Sequence, residues 1–584
     1  MSMTLAGFAQ AADLPPLPLP PLPPLIEQPG SAWNWTGLYV GAHTGMALGL
    51  NTIADPLGPS IFGDTVRSPG FFGGLQVGRN WQPVGSRVVL GVEVETSLAD
   101  LDGTNTCYAV SGAFTSFNCR ARTDVLGTAT ARAGLTLGEF GRSLAYVKGG
   151  FAWSHTEFET LLNDNLFGRG ATARTSAFGL GWTGGAGAEY ALSAHWTVKA
   201  EYDYRDLGTV AMAAPRRAPV TIPDIGPPSG VLVTVPGTEV AQRLHTFKLG
   251  VNYKYGPDTA PFQDGMTLPF ASLLSRASRR VPKPAFVSDW SFEGGGRVWV
   301  SSGRFQKDIA GGNLGYQNPT VNVSRLTWDN LAGTTGEVFG RLDTPWTVFV
   351  KGFVGGGTLT GGKINDEDWG VPFGGAGVNT AYTNTQGDAS GRLSYATIDA
   401  GYDFFRGASY KVGGFVGYNV FREDKSSYSC TQIALPASGI CSPPFTGFVL
   451  GENDRWRSLR VGTAAEIVLM PGLTLTADVA YLPWVKFDGQ DFHPQRPFVA
   501  DEWGQGIGAQ AELFVTWYVT PQISVGAGGR WWAMWTKSGS ACREPPNGDC
   551  PAPLQDMQFK TERFGALFQA AYRWDAPAAV VARD

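Results

Sequence analysis

The chain has 584 residues and a formal net charge of −5, with 16% charged residues set against 78 glycines and 12% aromatics. Mild acidity without a long basic stripe argues against a nucleic-acid partner, and the lack of any apolar run of 18 residues argues against a transmembrane helix. Glycine at about twice its usual ~7% share, in repeatedly alternating aromatic-rich sequence, points instead to β-strands closing into membrane barrels.

The first elements are signals of export. Ala9, Gln10, Ala11 and Ala12 resemble the small-residue cleavage end of a secretory signal, without the charged and apolar regions that would precede it. Residues 1–12 are therefore read as a signal remnant. The polyproline run at 13–25 opens a Pro-rich spacer over 13–32, extended and semi-rigid. Eight alternating segments follow, beginning near Trp35, Phe71, Val88, Val125, Leu144, Ser176, Trp196 and Val240, so 33–255 is expected to form an eight-stranded outer-membrane barrel. Residues 256–288 read as a linker containing Pro and Arg.

Ten more candidates begin near Trp290, Val321, Trp346, Gly391, Lys411, Trp456, Leu473, Gly506, Ile523 and Arg563, giving a ten-stranded barrel over 289–577 and a tail at 578–584. In one of them Leu473, Leu475, Ala477, Val479 and Tyr481 share a face, with Thr474, Thr476 and Asp478 on the other. Lipid outside and water inside require that pattern. The fold class is all-β: two transmembrane antiparallel β-barrels, eight-stranded then ten-stranded, in a bacterial outer membrane.

In the second half, short turns at 343–345, 406–409, 471–472 and 520–522 alternate with long loops at about 362–390, 424–455, 488–505 and 538–561. Short turns face the periplasm and long loops the exterior in such barrels. Two acidic motifs fall on the long-loop side: Asp366-Glu367-Asp368-Trp369 after a glycine-rich strand end, and Asp491-Phe492-His493 in a later loop. They belong to the third and seventh strands of ten, on opposed walls, so a cleft is expected between them.

The residue types suit hydrolysis without a metal or a serine nucleophile. His493 can act as the base, oriented by Asp491, while Asp366 and Asp368 hold the water from the other wall. Two close carboxylates resist full ionisation and can share a proton. The competing reading is solvated loop residues, since Asp is common there. His43, His155, His195 and His245 lack metal-ligand spacing. Gly357–Lys363 nearly spells a phosphate loop, but Ile364 stands where Ser or Thr is needed. Neither HExxH nor GxSxG occurs. The six cysteines fall into three local pairs, Cys107 with Cys119, Cys430 with Cys441 and Cys542 with Cys550, which read as disulfide staples in an oxidising compartment.

The run GGGTLTGGKINDEDWG (355–370), then DFH (491–493) and WYVTPQISV (517–525), resembles the omptins, ten-stranded outer-membrane proteases with an extracellular cleft. The resemblance covers about 290–575 and implies an aspartic-type endopeptidase with Asp366, Asp368, Asp491 and His493 catalytic, no metal or cofactor, peptide or protein substrates, and lipopolysaccharide as activator. Omptins that cut between basic residues hold the arginine with buried acids. Gly489 stands where one is expected and Lys307 near the other, leaving Asp488 and Asp308 as pocket candidates. WTGLYVGAHTG (35–45), GGLQVGRNWQ (73–82), GVEVE (91–95) and 181–208 are similar to the small eight-stranded surface and porin-like proteins of alphaproteobacteria, which implies a structural, adhesive or weakly transporting role for 33–255. The alternatives are a non-enzymatic surface or porin protein with an inactive omptin-like barrel, and a single 18-stranded porin.

Overall fold

The computed structural model describes residues 33–255 and 290–575, apart from 56–64, 108–116, 139, 163–171, 215–217, 221–230, 234–236, 311–321, 370–381, 408–409, 435–440, 495–497 and 544–553. The signal remnant, the Pro-rich spacer, the linker, the tail and Cys550 lie outside the described residues.

The first barrel is built from β1 (Gly37–Ile53), β2 (Thr65–Trp81), β3 (Val88–Cys107), β4 (Phe117–Leu137), β5 (Ser143–Leu162), β6 (Thr172–Ala191), β7 (Trp196–Met212) and β10 (Thr238–Tyr255). The short hairpin of β8 (Ala218–Val220) and β9 (Val231–Val233) lies between β7 and β10 and stands outside the ring. Each strand pairs antiparallel with its neighbours, and β10 closes on β1.

The second barrel comprises β11 (Ser291–Ala310), β12 (Asn322–Asp343), β13 (Val348–Trp369), β14 (Tyr382–Gly407), β15 (Tyr410–Ala434), β16 (Phe445–Met470), β17 (Leu473–His493), β18 (Phe498–Tyr518), β19 (Ile523–Arg543) and β20 (Gln555–Asp575), with β20 closing on β11. Two separate closed rings exclude the single 18-stranded wall.

Outward positions carry the apolar belt expected against lipid. Val298, Val300, Val338, Val354, Ile398, Val416, Val515 and Phe568 are exposed. At the short-turn end, aromatic pairs such as Trp290–Trp346 and Phe292–Trp574, with centroids 5.6 and 5.3 Å apart, form a girdle.

The strands run past this belt. About 9–11 residues cross a bilayer, whereas β13 has 22, β16 has 26 and β17 has 21. Most of what reads as long loop is therefore strand: β13 continues through Trp369 and β17 through His493, so both acidic motifs sit within strands. Beyond the lipid the outer face meets water, the apolar alternation disappears, and paired strand looks like polar loop in the sequence.

Both lumens are filled. In the first barrel the fully buried Lys199 lies 2.7 Å from Glu93 and 2.5 Å from Glu201, and Lys248 and Arg205 pair with Asp203 and Glu95. Each charge is compensated, as burial demands. In the second, Arg530 pairs with Glu337 and Glu512 at 2.6 Å each and is packed among the rings of Trp299, Phe353, Tyr395 and Trp532.

Candidate functional site

Above the Arg530 layer, the inward residues of β11, β16, β17 and β20 form an aromatic floor. Phe487 sits 4.6 Å from Trp456 and 4.2 Å from Phe559, with Phe305 stacked beyond it. The inward parity of Phe487 fixes that of its neighbours, because side chains alternate along a strand. Gly489, Asp491 and His493 face inward; Asp488, Gln490 and Phe492 face outward. A Cβ on Gly489 would come within 2.6 Å of the Phe487 ring, so glycine is needed for the floor to close there.

On this floor stands a buried cation among three carboxylates. The Lys307 Nζ donates to Glu452 at 2.6 Å and Glu502 at 2.9 Å, and lies 2.8 Å from Asp491. Asp491 in turn lies 3.3 Å from His493 Nε2. All four cage residues lie above Trp484, the last lipid-level residue of β17, clear of the apolar belt. Burial alone would push the Lys307 ammonium down, but Asp491, Glu452 and Glu502 hold it well above its ordinary value. Burial likewise favours a protonated Asp491, yet Lys307 and then His493 outweigh it and keep the carboxylate below its usual range. Glu502 goes the other way, raised by burial and by Glu452. Oxygens of Glu452, Asp491 and Glu502 lie close enough together to hold a metal ion, but the Lys307 ammonium already bonds to all three.

The opposite wall is fixed by register. Lys307 pairs with Leu326 on β12, and Leu326 pairs with Asp366 on β13. Asp366 therefore stands on the rung of Lys307, two strands or about 10 Å along it. Leu326 and Ile364 belong to the interior cluster, so Asp366 and Asp368, of the same parity as Ile364, face the same interior. The third and seventh strands thus bring both acidic motifs to one level of one lumen.

The two pocket candidates are corrected by the same parity. Asp308 follows the inward Lys307 and faces outward, where it pairs with Arg325 at 2.6 Å. Asp488 follows the inward Phe487 and faces outward, paired with Arg457 and, at 3.3 Å, with Lys486. Neither side chain reaches the cleft. In the sequence Lys307 stands out only as a residue near the place where an acid is expected, and nothing there points to Glu452 and Glu502, whose convergence needs the register of four strands. Among the described residues the disulfides Cys107–Cys119 and Cys430–Cys441 are formed, and Cys542 is disulfide-bonded. His43 lies in the first lumen between Gln76 and Ser97, while His155 pairs with Asp124.

Two closed antiparallel barrels with outward apolar belts, an aromatic girdle and filled lumens define an outer-membrane β-barrel protein. Residues 5–255 match the outer membrane protein beta-barrel domain. The chain is 32% identical over 238 residues to the 31 kDa outer-membrane immunogenic protein of Brucella melitensis biotype 1, covering 39% of this chain and 86% of that protein. It matches the Brucella suis biovar 1 protein of the same name equally. Through its first barrel the chain belongs to this family of outer-membrane β-barrel proteins. Among solved structures it is similar to the outer membrane protease OmpT of Escherichia coli, at 16% identity and a TM-score of 0.39, covering 51% of this chain and 100% of that one. It is also similar to Neisserial surface protein A, at 16% identity and a TM-score of 0.19, over 38% of this chain and 98% of that one. At these values the likeness carries no argument about this chain.

Proposed function

We propose that this outer-membrane protein is an endopeptidase whose ten-stranded barrel hydrolyses peptide bonds in a cleft facing the exterior. The observation that carries the reading is the relay from Lys307 through Asp491 to His493, with Asp366 on the rung of Lys307, two strands along the wall from it. If His493 donates its Nε2 proton to Asp491, Nδ1 carries the lone pair and is the basic atom of the ring. It takes a proton from water as the water attacks the peptide carbonyl. The Asp366/Asp368 pair positions that water, and a shared proton there can pass to the leaving amine. Peptides or proteins are the substrates, no cofactor is required, and lipopolysaccharide is the expected activator. The domain scheme that goes with this function is a surface barrel at 33–255 and a catalytic barrel at 289–577.

A second reading, a non-enzymatic surface protein, is favoured by the relationship of the first barrel to an outer-membrane immunogenic protein. Mass-spectrometric mapping of cuts in a peptide library, using purified protein with lipopolysaccharide, separates the two. Discrete cuts that vanish in His493→Ala support the protease; a cleavage pattern identical in both proteins, or none in the wild type, supports the surface protein.

A further inference from the structure

Bulges set the ribbon that carries Asp366 and Asp368 off from the ladder below it, although β11 and β14 pair with it on either side. On β12 the pairing shifts between Asp329 and Ala332, where Asn330 adopts φ 53°; on β13 it shifts between Leu359 and Lys363, where Gly362 adopts φ 151°. The pairing of β14 slips again, between Gln386 and Ala389. Bulges bend a strand and interrupt the hydrogen bonds that would fix its upper part. The segment 324–329 paired with 363–368 is therefore a short ribbon standing on a kink.

The outward face of that ribbon carries Arg325 and Glu367, both fully buried, with Asp308 beside them on β11. What buries them is the upper end of the β3–β4 hairpin of the first barrel. Thr106 Oγ1 donates to Glu367 at 2.9 Å and accepts from Arg325 Nη1 at 2.8 Å. Asn118 Oδ1 accepts from Arg325 Nη2 at 2.7 Å, and Thr104 Oγ1 donates to Asp308 at 3.1 Å. Arg67 pairs with Glu562 at 2.8 Å across the same junction. Disulfide Cys107–Cys119 ties the two strands of the hairpin beside these contacts.

We infer that the first barrel serves as a brace: Thr106 and Asn118 grip Arg325 and Glu367, and so hold the kinked ribbon that presents Asp366 and Asp368 to the cleft. Glu367 lies between the two aspartates, so a contact to its carboxylate is transmitted through one peptide unit in each direction. Thr106 and Asn118 are positioning residues, and their catalytic consequence rests on the protease reading above.

The test uses the full chain with Thr106→Val and Asn118→Leu combined, and Thr106→Ser as the conservative control. Hydrogen exchange by mass spectrometry reads the brace without reference to activity. Peptides covering 322–329 and 363–369 should exchange at least about tenfold faster in the double variant, the cost of unpairing hydrogen bonds to buried charges. Exchange in β16 and β17 should be unchanged, and Thr106→Ser should behave as wild type. In peptide cleavage kcat should fall by about tenfold with KM little changed. Unaltered exchange in 363–369 overturns the brace. Faster exchange there with unaltered kcat overturns its catalytic role, and a wild type without peptidase activity overturns that role together with the protease reading, while the exchange result still decides the brace.

Discussion

The ammonium of Lys307 stands 2.8 Å from the carboxylate of Asp491, which itself lies 3.3 Å from His493. A buried cation supplied by the chain thus faces the same carboxylate as the histidine. Lys307 fixes the position of Asp491 and keeps it ionised, and it also makes Asp491 a weaker acceptor for the His493 proton than an isolated carboxylate would be. Lys307 fills the space among Glu452, Asp491 and Glu502, so among the described residues this cage is already occupied by a cation of the chain itself.

Replacing Lys307 with Met should lower cleavage more than any other change outside the four acid–base residues. Removing one partner of a buried charge cluster costs about 3–5 kcal/mol locally. The Asp491 carboxyl is depressed by Lys307 against the upward pull of burial. A depressed acid contributes above its unfolded value and loses that contribution as pH falls through the folded value. Without the ammonium Asp491 takes up a proton at higher pH, so the acid limb of the rate profile should move to higher pH. An acid limb that stays in place in Lys307→Met would show that Asp491 is not held by Lys307.

His493→Ala, Asp366→Ala and Asp368→Ala should each abolish measurable cleavage, since a positioned acid or base contributes about 10²–10⁴ in rate. Asp491→Ala should be milder in rate if the histidine remains in place. Heat-modifiable migration on gels should be unchanged in all four, because none of these residues lies at the lipid-facing belt that stabilises the barrel. Equal turnover in wild type and His493→Ala, with lipopolysaccharide present, would leave a binding barrel.

The strand count and the division into two barrels are legible because a membrane writes its thickness into the chain. The alternation Leu473–Tyr481 is readable where lipid lies outside. It stops being readable above Trp484, where Lys486, Asp488 and Gln490 meet water on the outer face, and there paired strand has the sequence of a loop. Parity is equally hard to read. Asp308 and Asp488 are acids at plausible places in sequence, but a one-residue offset sends a strand side chain through the wall. Lys307, Glu452 and Glu502 converge from β11, β16 and β18, a relation that no local pattern encodes.

Asp488→Ala and Asp308→Ala should therefore leave the residues preferred at the cut unchanged. Asp488 is held on the outer face by Arg457 and Lys486, and Asp308 by Arg325. Cut mapping on a peptide library checks this. A changed side-chain preference in Asp488→Ala would mean that its carboxylate reaches the cleft and that the parity read from Phe487 fails there.

Neither barrel should conduct as a porin does. Wide channels need an aqueous lumen, and an eight-stranded ring leaves room for little more than its own side chains. Here that room is taken by Lys148, Lys199 and Lys248 with Glu93, Glu95, Glu201 and Asp203, all fully or nearly fully buried. The ten-stranded ring is wider, but the Arg530 guanidinium crosses it, bonded to Glu337 and Glu512 and packed against the rings of Trp299, Phe353, Tyr395 and Trp532. Planar-bilayer recordings of the full chain should show no large stable openings. Arg530→Ala removes the central cation and leaves Glu337 and Glu512 with Arg297 alone, at 3.1 Å from each, so the lumen becomes net negative and small cation-selective openings should arise in that variant alone. Porin-sized conductance in the wild type would mean that the Arg530 layer does not close the lumen, and the floor beneath Asp491 and His493 would then be a pore wall.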